Sequence, residues 1–277
     1  MGNPYLITGP ALISFSGGRT SAYMLKMILD AHGGTLPDDV HVCFANTGKE
    51  REETLRFVHK CATRWGVRVR WLEWRSRLKS VPVGERFEEV GFNSAARNGE
   101  PFAALIRSKQ STPNCVARWC TEELKVKTLQ AFMEAQGFIE YANVIGLRAD
   151  ERHRVAKGRV RGSVMPLADA GISNRDVRAF WREQPFDLGL LPFEGNCDGC
   201  FLKARPKLWE IERTKPGTLQ WWSDMENGPG KGRFVTEYSY AELMRDVRSQ
   251  PDLFAGGLFD GDPDMDAECG LWCEEAA

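Results

Sequence analysis

The most constraining feature of this chain is a short apolar run, ALISF at residues 11–15, that feeds into Ser16-Gly17-Gly18-Arg19-Thr20-Ser21. After it comes a segment with Tyr23, Met24, Met27 and Ile28 at helical spacing. A strand that turns on two glycines straight into a helix opens an α/β unit, and the pattern then repeats. VHVCFA (40–45) reads as a second buried strand, NTGKE as a turn, and REETLRFVHKCATRWG (51–66) as an amphipathic helix closed by Gly66. VRVRWLEW (67–74) alternates like a third strand. This β-α-β-α-β order with short connections predicts a parallel sheet covered by helices on both faces, a doubly wound α/β architecture.

Residues 76–118 mix glycines, prolines and scattered charge, and read as an insertion partly covering a site. A helix is expected over 121–135, where Leu124, Leu129, Phe132 and Met133 share a face and Gly137 follows as a stop. YANVIGL (141–147) returns as a strand. Ser173 is placed to cap NRDVRAFWREQ, which Pro185 ends. Residues 1–185 are therefore expected to form a nucleotide-binding α/β domain. Residues 186–277 form a C-terminal helical and loop extension, with a CxxC loop, a helix around RPKLWEIERT and a cysteine-bearing tail.

Lys and Arg number 37 against 38 Asp and Glu, so no global charge draws the chain to nucleic acid or an anionic membrane, although a local basic patch remains open. No apolar run approaches the roughly 20 residues that span a bilayer, and the opening residues lack a basic segment followed by a long apolar one. The expectation is a soluble, cytoplasmic protein without a membrane partner. Eight cysteines are too few for a disulfide-dense scaffold. Six fall in close pairs, Cys115/Cys120, Cys197/Cys200 and Cys269/Cys273, which points toward metal or redox work. Cys43 and Cys61 sit inside strand and helix patterns and read as small buried hydrophobes.

The glycine loop supplies what a phosphate chain requires: glycines allow close backbone approach, and the helix start presents unpaired N–H groups. The hydroxyls of Ser14, Ser16, Thr20 and Ser21 add donors. By composition alone an ordinary glycine turn is as good a reading. The loop is neither GxxxxGK[ST] nor GxGxxG.

SFSGGRTS resembles the SGGxDS pyrophosphate loop (PP-loop) of the adenine nucleotide α-hydrolase superfamily, and the later motifs resemble its phosphoadenosine phosphosulfate (PAPS) reductase family. FANTGKEREET is similar to the strand ending in D-T-G, with Asn46, Thr47 and Gly48 at those positions. RWCTEELKVKTL resembles the segment carrying a cluster cysteine and a substrate-facing lysine, here Cys120 and Lys125. GLRADERHR looks like the G-x-R motif with a following arginine, Arg148 and Arg154, and PLADAGISNRDVRAFW like a later family segment. The resemblance covers about residues 11–210 and implies a Rossmann-like fold of the HUP type. Two residues depart from the pattern: Thr20 stands where the family has Asp in SGGxDS, and Asn46 where it has Asp in D-T-G.

The resemblance implies that an adenine nucleotide, ATP or adenylyl sulfate, with magnesium as a candidate companion, binds Ser14, Ser16, Gly17, Gly18, Arg19, Thr20, Ser21, Asn46, Thr47, Gly48 and Arg154. Lys125 and Arg148 are expected to act on the substrate. It also implies a 4Fe-4S cluster on Cys120, Cys197 and Cys200, with a fourth ligand from Cys115, Cys269 or Cys273, or an open iron. From the residues alone, a structural zinc site pairing CxxC with Cys269 and Cys273, or a bare dithiol, stays open. Glu268-Cys269-Gly270-Leu271-Trp272 is similar to the E-C-G-[IL]-H tail of sulfonucleotide reductases, which makes Cys269 a candidate nucleophile. Arg152 reads as a solvated charge, and His153 is given no role.

Three functions follow as expectations. The first is ATP-dependent adenylation with sulfur transfer, drawing on a sulfur donor and acting on an unspecified acceptor, with nucleic acid entering only as a modification substrate. The second is reductive cleavage of adenylyl sulfate or PAPS to sulfite with a thiol reductant. The third is a non-catalytic nucleotide-binding or zinc-stabilised interaction protein.

Overall fold

The structure is a computed structural model that describes residues 2–249. Five strands form one sheet in the order β4-β3-β2-β1-β5: β1 (Ala11–Ser14), β2 (Val40–Asn46), β3 (Val69–Trp74), β4 (Phe87–Val90) and β5 (Ala142–Ile145). β1 pairs in parallel with both β2 and β5, and β3 in parallel with β2, while β4 runs antiparallel at the edge. The chain moves outward from β1 through β2 to β3, then returns to place β5 on the other side of β1. This reversal beside β1 is the switch point at whose carboxyl end open α/β sheets bind ligands.

Helices cover both faces. α1 (Arg19–Ala31) and α2 (Glu52–Trp65) send Met24, Leu25, Ile28, Leu55, Phe57 and Val58 into a core with the inward side of β1 and β2. Each such aliphatic or aromatic side chain contributes about 1.5–3 kcal/mol when fully buried. α2 ends as expected, with Gly66 in the left-handed region at φ 63° and its N–H on the Ala62 carbonyl. On the other face lies a long helical run. It begins at α4 (Trp119–Thr121), widens into a π-helical stretch over Glu122–Lys127, and continues as α5 (Thr128–Ala135). Leu129, Phe132 and Met133 pack on Leu12, Cys43 and Leu72, whereas Leu124 turns into a separate aromatic core. The wide turn lies where the run passes from one core to the other.

The segment read as an irregular insertion is more ordered than its composition implied. It holds a 3₁₀ turn (Val83–Glu85), β4, and α3 (Glu100–Lys109). β4 is hard to see in sequence because Glu88 and Glu89 give it the charge of an exposed edge strand, and both carboxylates meet arginines (Arg75; Arg68 and Arg70). After β5 come α6 (Arg152–Val160), α7 (Pro166–Asp169) and α8 (Asn174–Glu183). Ser173 caps α8 in a capping box with Asp176, and the helix stops two residues before Pro185, both as expected.

α9 (Arg205–Thr214) matches the expected helix, but α10 (Gln220–Asn227) and α11 (Tyr240–Ser249) replace the first part of what reads as a glycine- and proline-rich tail. These helices, with α3, Trp74 and Leu124, enclose the aromatic core around Phe102, Trp209, Trp222, Phe234 and Tyr240. Among the described residues no helix is long and apolar enough to cross a membrane. Cys43 and Cys61 are fully buried, and burial pushes both thiols far up, as the small-hydrophobe reading requires.

Candidate functional site

The glycine loop leaves β1 at the switch point. Gly17 has φ 80°, and a Cβ there would sit 2.8 Å from Thr54 Cγ2 and 3.0 Å from Val58 Cγ2, so backbone conformation and packing against α2 both demand glycine. The Ser16 and Ser21 hydroxyls lie 2.9 Å apart, and Ser21 Oγ also donates to the Gly18 carbonyl at 3.0 Å. Both hydroxyls are drawn to the first turn of α1, where the helix N-terminus already favours an anion. Ser14 sits at the end of β1 and donates to Asn143 Oδ1 at 3.3 Å, away from the Ser16–Ser21 pair.

Arg148 reaches the loop from the segment after β5. Its Nη1 donates to Thr20 Oγ1 at 3.0 Å and its Nε to Asp150 at 3.0 Å. Thr20, where the family has an aspartate, thus receives a guanidinium; the position holds a cation-backed hydroxyl instead of a carboxylate. Close approach here depends on Gly146, whose Cβ would fall 3.1 Å from the Ser21 Cα. Arg154, on α6, pairs with Glu151, whose other oxygen accepts the Arg148 backbone N–H. Arg19 forms a two-pronged pair with Asp187, at 2.7 and 2.8 Å. Burial pushes the Asp187 carboxyl up, but its hydrogen bonds from Arg19 and the Leu188 N–H outweigh it and hold the group below its ordinary value.

The turn after β2 is organised from within. Asn46 is fully buried: its Nδ2 donates to Glu73 Oε1 at 2.7 Å and to the Ala96 carbonyl at 2.9 Å, and its Oδ1 accepts the Gly48 N–H. An aspartate here would set a second carboxylate against Glu73, which gives a physical reason for the departure from D-T-G. Thr47 donates from both backbone N–H and hydroxyl to Glu50 Oε2 at 2.8 Å. Gly48, at φ 80°, abuts the backbone of Gly99, with 3.0 Å between a built Cβ and the Gly99 Cα. Lys125, from the π-helical stretch, comes within 3.5 Å of Glu50 Oε1.

The CxxC loop docks on this same turn. Cys197 forms an antiparallel bridge with Glu50, Asp198 N donates to the Lys49 carbonyl, and Lys49 Nζ meets Asp198 Oδ2 at 2.7 Å. Asp198 also accepts Trp222 Nε1, and Tyr240 donates to the Gly199 carbonyl at 2.6 Å. Gly199 leaves no room for a side chain, since a Cβ would lie 2.3 Å from Trp222 Nε1. Asn196, just before the first cysteine, donates to the Ser16 carbonyl at 3.1 Å and so joins the CxxC loop to the glycine loop across 180 residues. A buried Arg51–Glu194 pair at 2.9 Å, side chains 4% and 2% exposed, braces the junction. Removing one partner of such a pair costs about 3–5 kcal/mol.

Asn196, Glu50, Lys49 and Gly146 are absent from the residues singled out in sequence. Adjacency to CxxC was the available signal for Asn196, and membership of the G-x-R motif for Gly146.

Cys120 and Cys197 both pack against the aromatic core, Cys197 and Cys200 lie near its Tyr240, and Cys115 is exposed. Among the described residues no group of three or more His, Cys, Asp or Glu side chains is arranged to hold a metal ion. Backbone pairing to Glu50 and the ties to Trp222 and Tyr240 fix the CxxC loop independently of Cys120. Cys269 and Cys273 lie outside the described residues.

A family model described as phosphoadenosine phosphosulfate reductase domain matches residues 10–163, the stretch that builds β1 through α6 and the segment just after it. An uncharacterized nin region protein of Escherichia phage lambda is 30% identical over 221 residues, covering 78% of this chain and 74% of the phage protein. An uncharacterized protein of Methanocaldococcus jannaschii is 28% identical over 230 residues, 80% of this chain but 42% of that longer protein. With the Rossmann-like sheet and the glycine loop at its switch point, these matches lead to one conclusion: the chain belongs to the phosphoadenosine phosphosulfate reductase family of the adenine nucleotide α-hydrolase superfamily.

Proposed function

We propose that the chain binds ATP at Ser16–Ser21 and uses it to adenylate an acceptor oxygen that sulfur then displaces. Family membership supports adenine-nucleotide or sulfonucleotide chemistry. The observation that carries the ATP reading is the convergence of an intact glycine loop, the α1 N-terminus and the Arg148 guanidinium on one spot.

In this reading the N–H groups of the loop and the Ser16 and Ser21 hydroxyls hold the leaving pyrophosphate. Arg148 stands at the α-phosphate, where charge builds as the acceptor oxygen attacks. Lys125 neutralises a further phosphate oxygen as a point charge, released from or shared with Glu50. Attack on the α-phosphate expels pyrophosphate and leaves an adenylated acceptor. Hydrosulfide then displaces the activated oxygen, which departs with AMP; a persulfide donor does the same through a mixed disulfide that a thiol reductant cleaves to free the thiolated acceptor. Asn46 and Thr47 form a rigid wall of the site through their bonds to Glu73 and Glu50, and Gly48 joins it through its N–H on Asn46 Oδ1.

A second reading rests on the Glu268–Trp272 sequence: the Cys269 thiolate attacks the sulfur of adenylyl sulfate, AMP leaves, and a thiol reductant frees sulfite from the resulting thiosulfonate. Substrate and product assays separate the two. The first predicts pyrophosphate from ATP only when acceptor is present. Sulfite released from adenylyl sulfate with a thiol, and lost in Cys269→Ser with nucleotide affinity intact, establishes the second and overturns the first.

A further inference from the structure

A divalent cation beside a nucleotide needs protein oxygens as well as phosphates. Magnesium keeps several waters and is held by one or two carboxylates together with the phosphate chain. The cleft of about 490 Å³ that opens at Thr20 has a single carboxylate in its described lining, Asp187. Arg19 engages both oxygens of that group, and Oδ1 also accepts the Leu188 N–H. On the other side of Thr20, Asp150 accepts Arg148 Nε through one oxygen and the Asn174 N–H through the other, each at 3.0 Å. Glu151 is divided between the Arg148 N–H and the Arg154 guanidinium. Each of these three carboxylates is thus already held by a guanidinium.

The neutral oxygens are equally committed. Thr20 Oγ1 is buried and accepts Arg148 Nη1 at 3.0 Å. Magnesium sits about 2.1 Å from its oxygen ligands, so an ion on that hydroxyl would stand within about 5 Å of a guanidinium nitrogen. Like charges at that range repel, and burial leaves little water to screen them. The Ser16 and Ser21 hydroxyls bond each other at 2.9 Å. Asn46 turns its amide oxygen to the Gly48 N–H and its nitrogen to Glu73, which is itself engaged by the Ala96 N–H and Arg75. The two positions where the family has aspartate therefore carry a guanidinium-backed hydroxyl and an inward-facing amide. This donor set does not fit a magnesium ion, whereas the loop N–H groups and Arg148 fit the oxygens of a bare phosphate chain.

We propose that the glycine loop takes its nucleotide without magnesium, and that Thr20, by seating Arg148 where a carboxylate would draw a cation, selects the metal-free polyphosphate. The inference rests on the ATP reading of the loop and goes beyond it by naming the ionic form of the substrate. The charge that magnesium would neutralise then falls to the Arg148 guanidinium, whose planar fork can bridge Thr20 and a phosphate oxygen, and to the start of α1. Magnesium in solution competes with the protein for ATP, because the complexed fraction is not the form the site accepts.

Calorimetric titration of ATP into the full chain tests this, once in EDTA and once with magnesium chloride in excess over ATP, at matched ionic strength so that screening is equal. The wild type binds on the order of tenfold more tightly in EDTA than in magnesium, since only uncomplexed ATP is competent. Thr20→Asp sets a carboxylate against the phosphates, so it weakens binding in EDTA and reverses the order, with magnesium now strengthening binding. Thr20→Ser, which keeps a hydroxyl for Arg148, retains the wild-type order. Thermal melts check that both variants fold, and the wild-type comparison decides the proposal without them.

Wild-type binding that is as tight or tighter in magnesium overturns the proposal and leaves the loop reading standing. A folded Thr20→Asp chain with the wild-type response to magnesium overturns the role assigned to Thr20. No ATP binding in either buffer refutes the loop reading itself, and this inference with it.

Discussion

Replacing Gly17 with alanine tests whether the glycine loop is a shaped cradle or an ordinary turn. At φ 80° an alanine pays the left-handed penalty of about 1–2 kcal/mol. Its Cβ would also press on Thr54 Cγ2 at 2.8 Å, Val58 Cγ2 at 3.0 Å and Phe44 Cε2 at 3.2 Å, inside a packed core. Overpacking of this kind costs about 1–3 kcal/mol, for a total of about 2–5 kcal/mol. Gly9 provides the control: its φ is 75° but a Cβ would meet nothing within 4 Å, so Gly9→Ala incurs strain alone. Thr54→Ser removes the nearest methyl and should return part of the loss only in the Gly17→Ala background. Urea unfolding of the four variants and calorimetric ATP titration provide the readouts. A Gly17→Ala protein no less stable than Gly9→Ala, or one that binds ATP like the wild type, refutes the reasoning.

Asn46→Asp recreates the family residue, yet it should destabilise the chain by about 3 kcal/mol, because a hydrogen bond to buried Glu73 becomes a carboxylate pair. One proton shared between the two acids relieves that repulsion, so unfolding measured at mildly acidic pH should show a smaller deficit than at neutral pH. Arg148→Ala should lower ATP affinity on the order of tenfold, and Arg148→Lys by less, since the charge remains but the paired hydrogen bonds to Thr20 and Asp150 are lost; calorimetry reads both. His41 has its imidazole held below the ordinary 6.5 by burial and by Arg70 and Arg68, and its buried Nε2 has no hydrogen-bond partner among the described residues. The unfolded chain takes up that proton first, so stability should decline as pH falls below about 6.5, and His41→Phe should flatten this part of the profile in thermal melts.

What could be read from sequence was local. The strand, two glycines and helix at residues 11–31, the Gly66 stop and the Ser173 cap each depend on neighbours a few residues away, and each appears where its pattern places it. The misses are matters of distance. β4 escapes because FEEV is an edge strand whose charges answer arginines on the neighbouring strand and just beyond it. α10 and α11 escape because their apolar faces meet a core assembled from Trp74, α3 and α9. The Asn196–Ser16 bond carries no sequence signature across its 180-residue separation, although it ties the CxxC loop to the phosphate cradle. In the same way cysteine spacing indicates that Cys197 and Cys200 share a loop, but not that Cys120 and Cys197 would pack against one aromatic core.

The most direct test of the account is a crystal structure with a non-hydrolysable ATP analogue. The account predicts phosphate oxygens on the N–H groups of Gly17–Ser21, with the Arg148 guanidinium against the α-phosphate. An analogue bound elsewhere on the chain, with the Ser16–Ser21 loop free of phosphate, would contradict it.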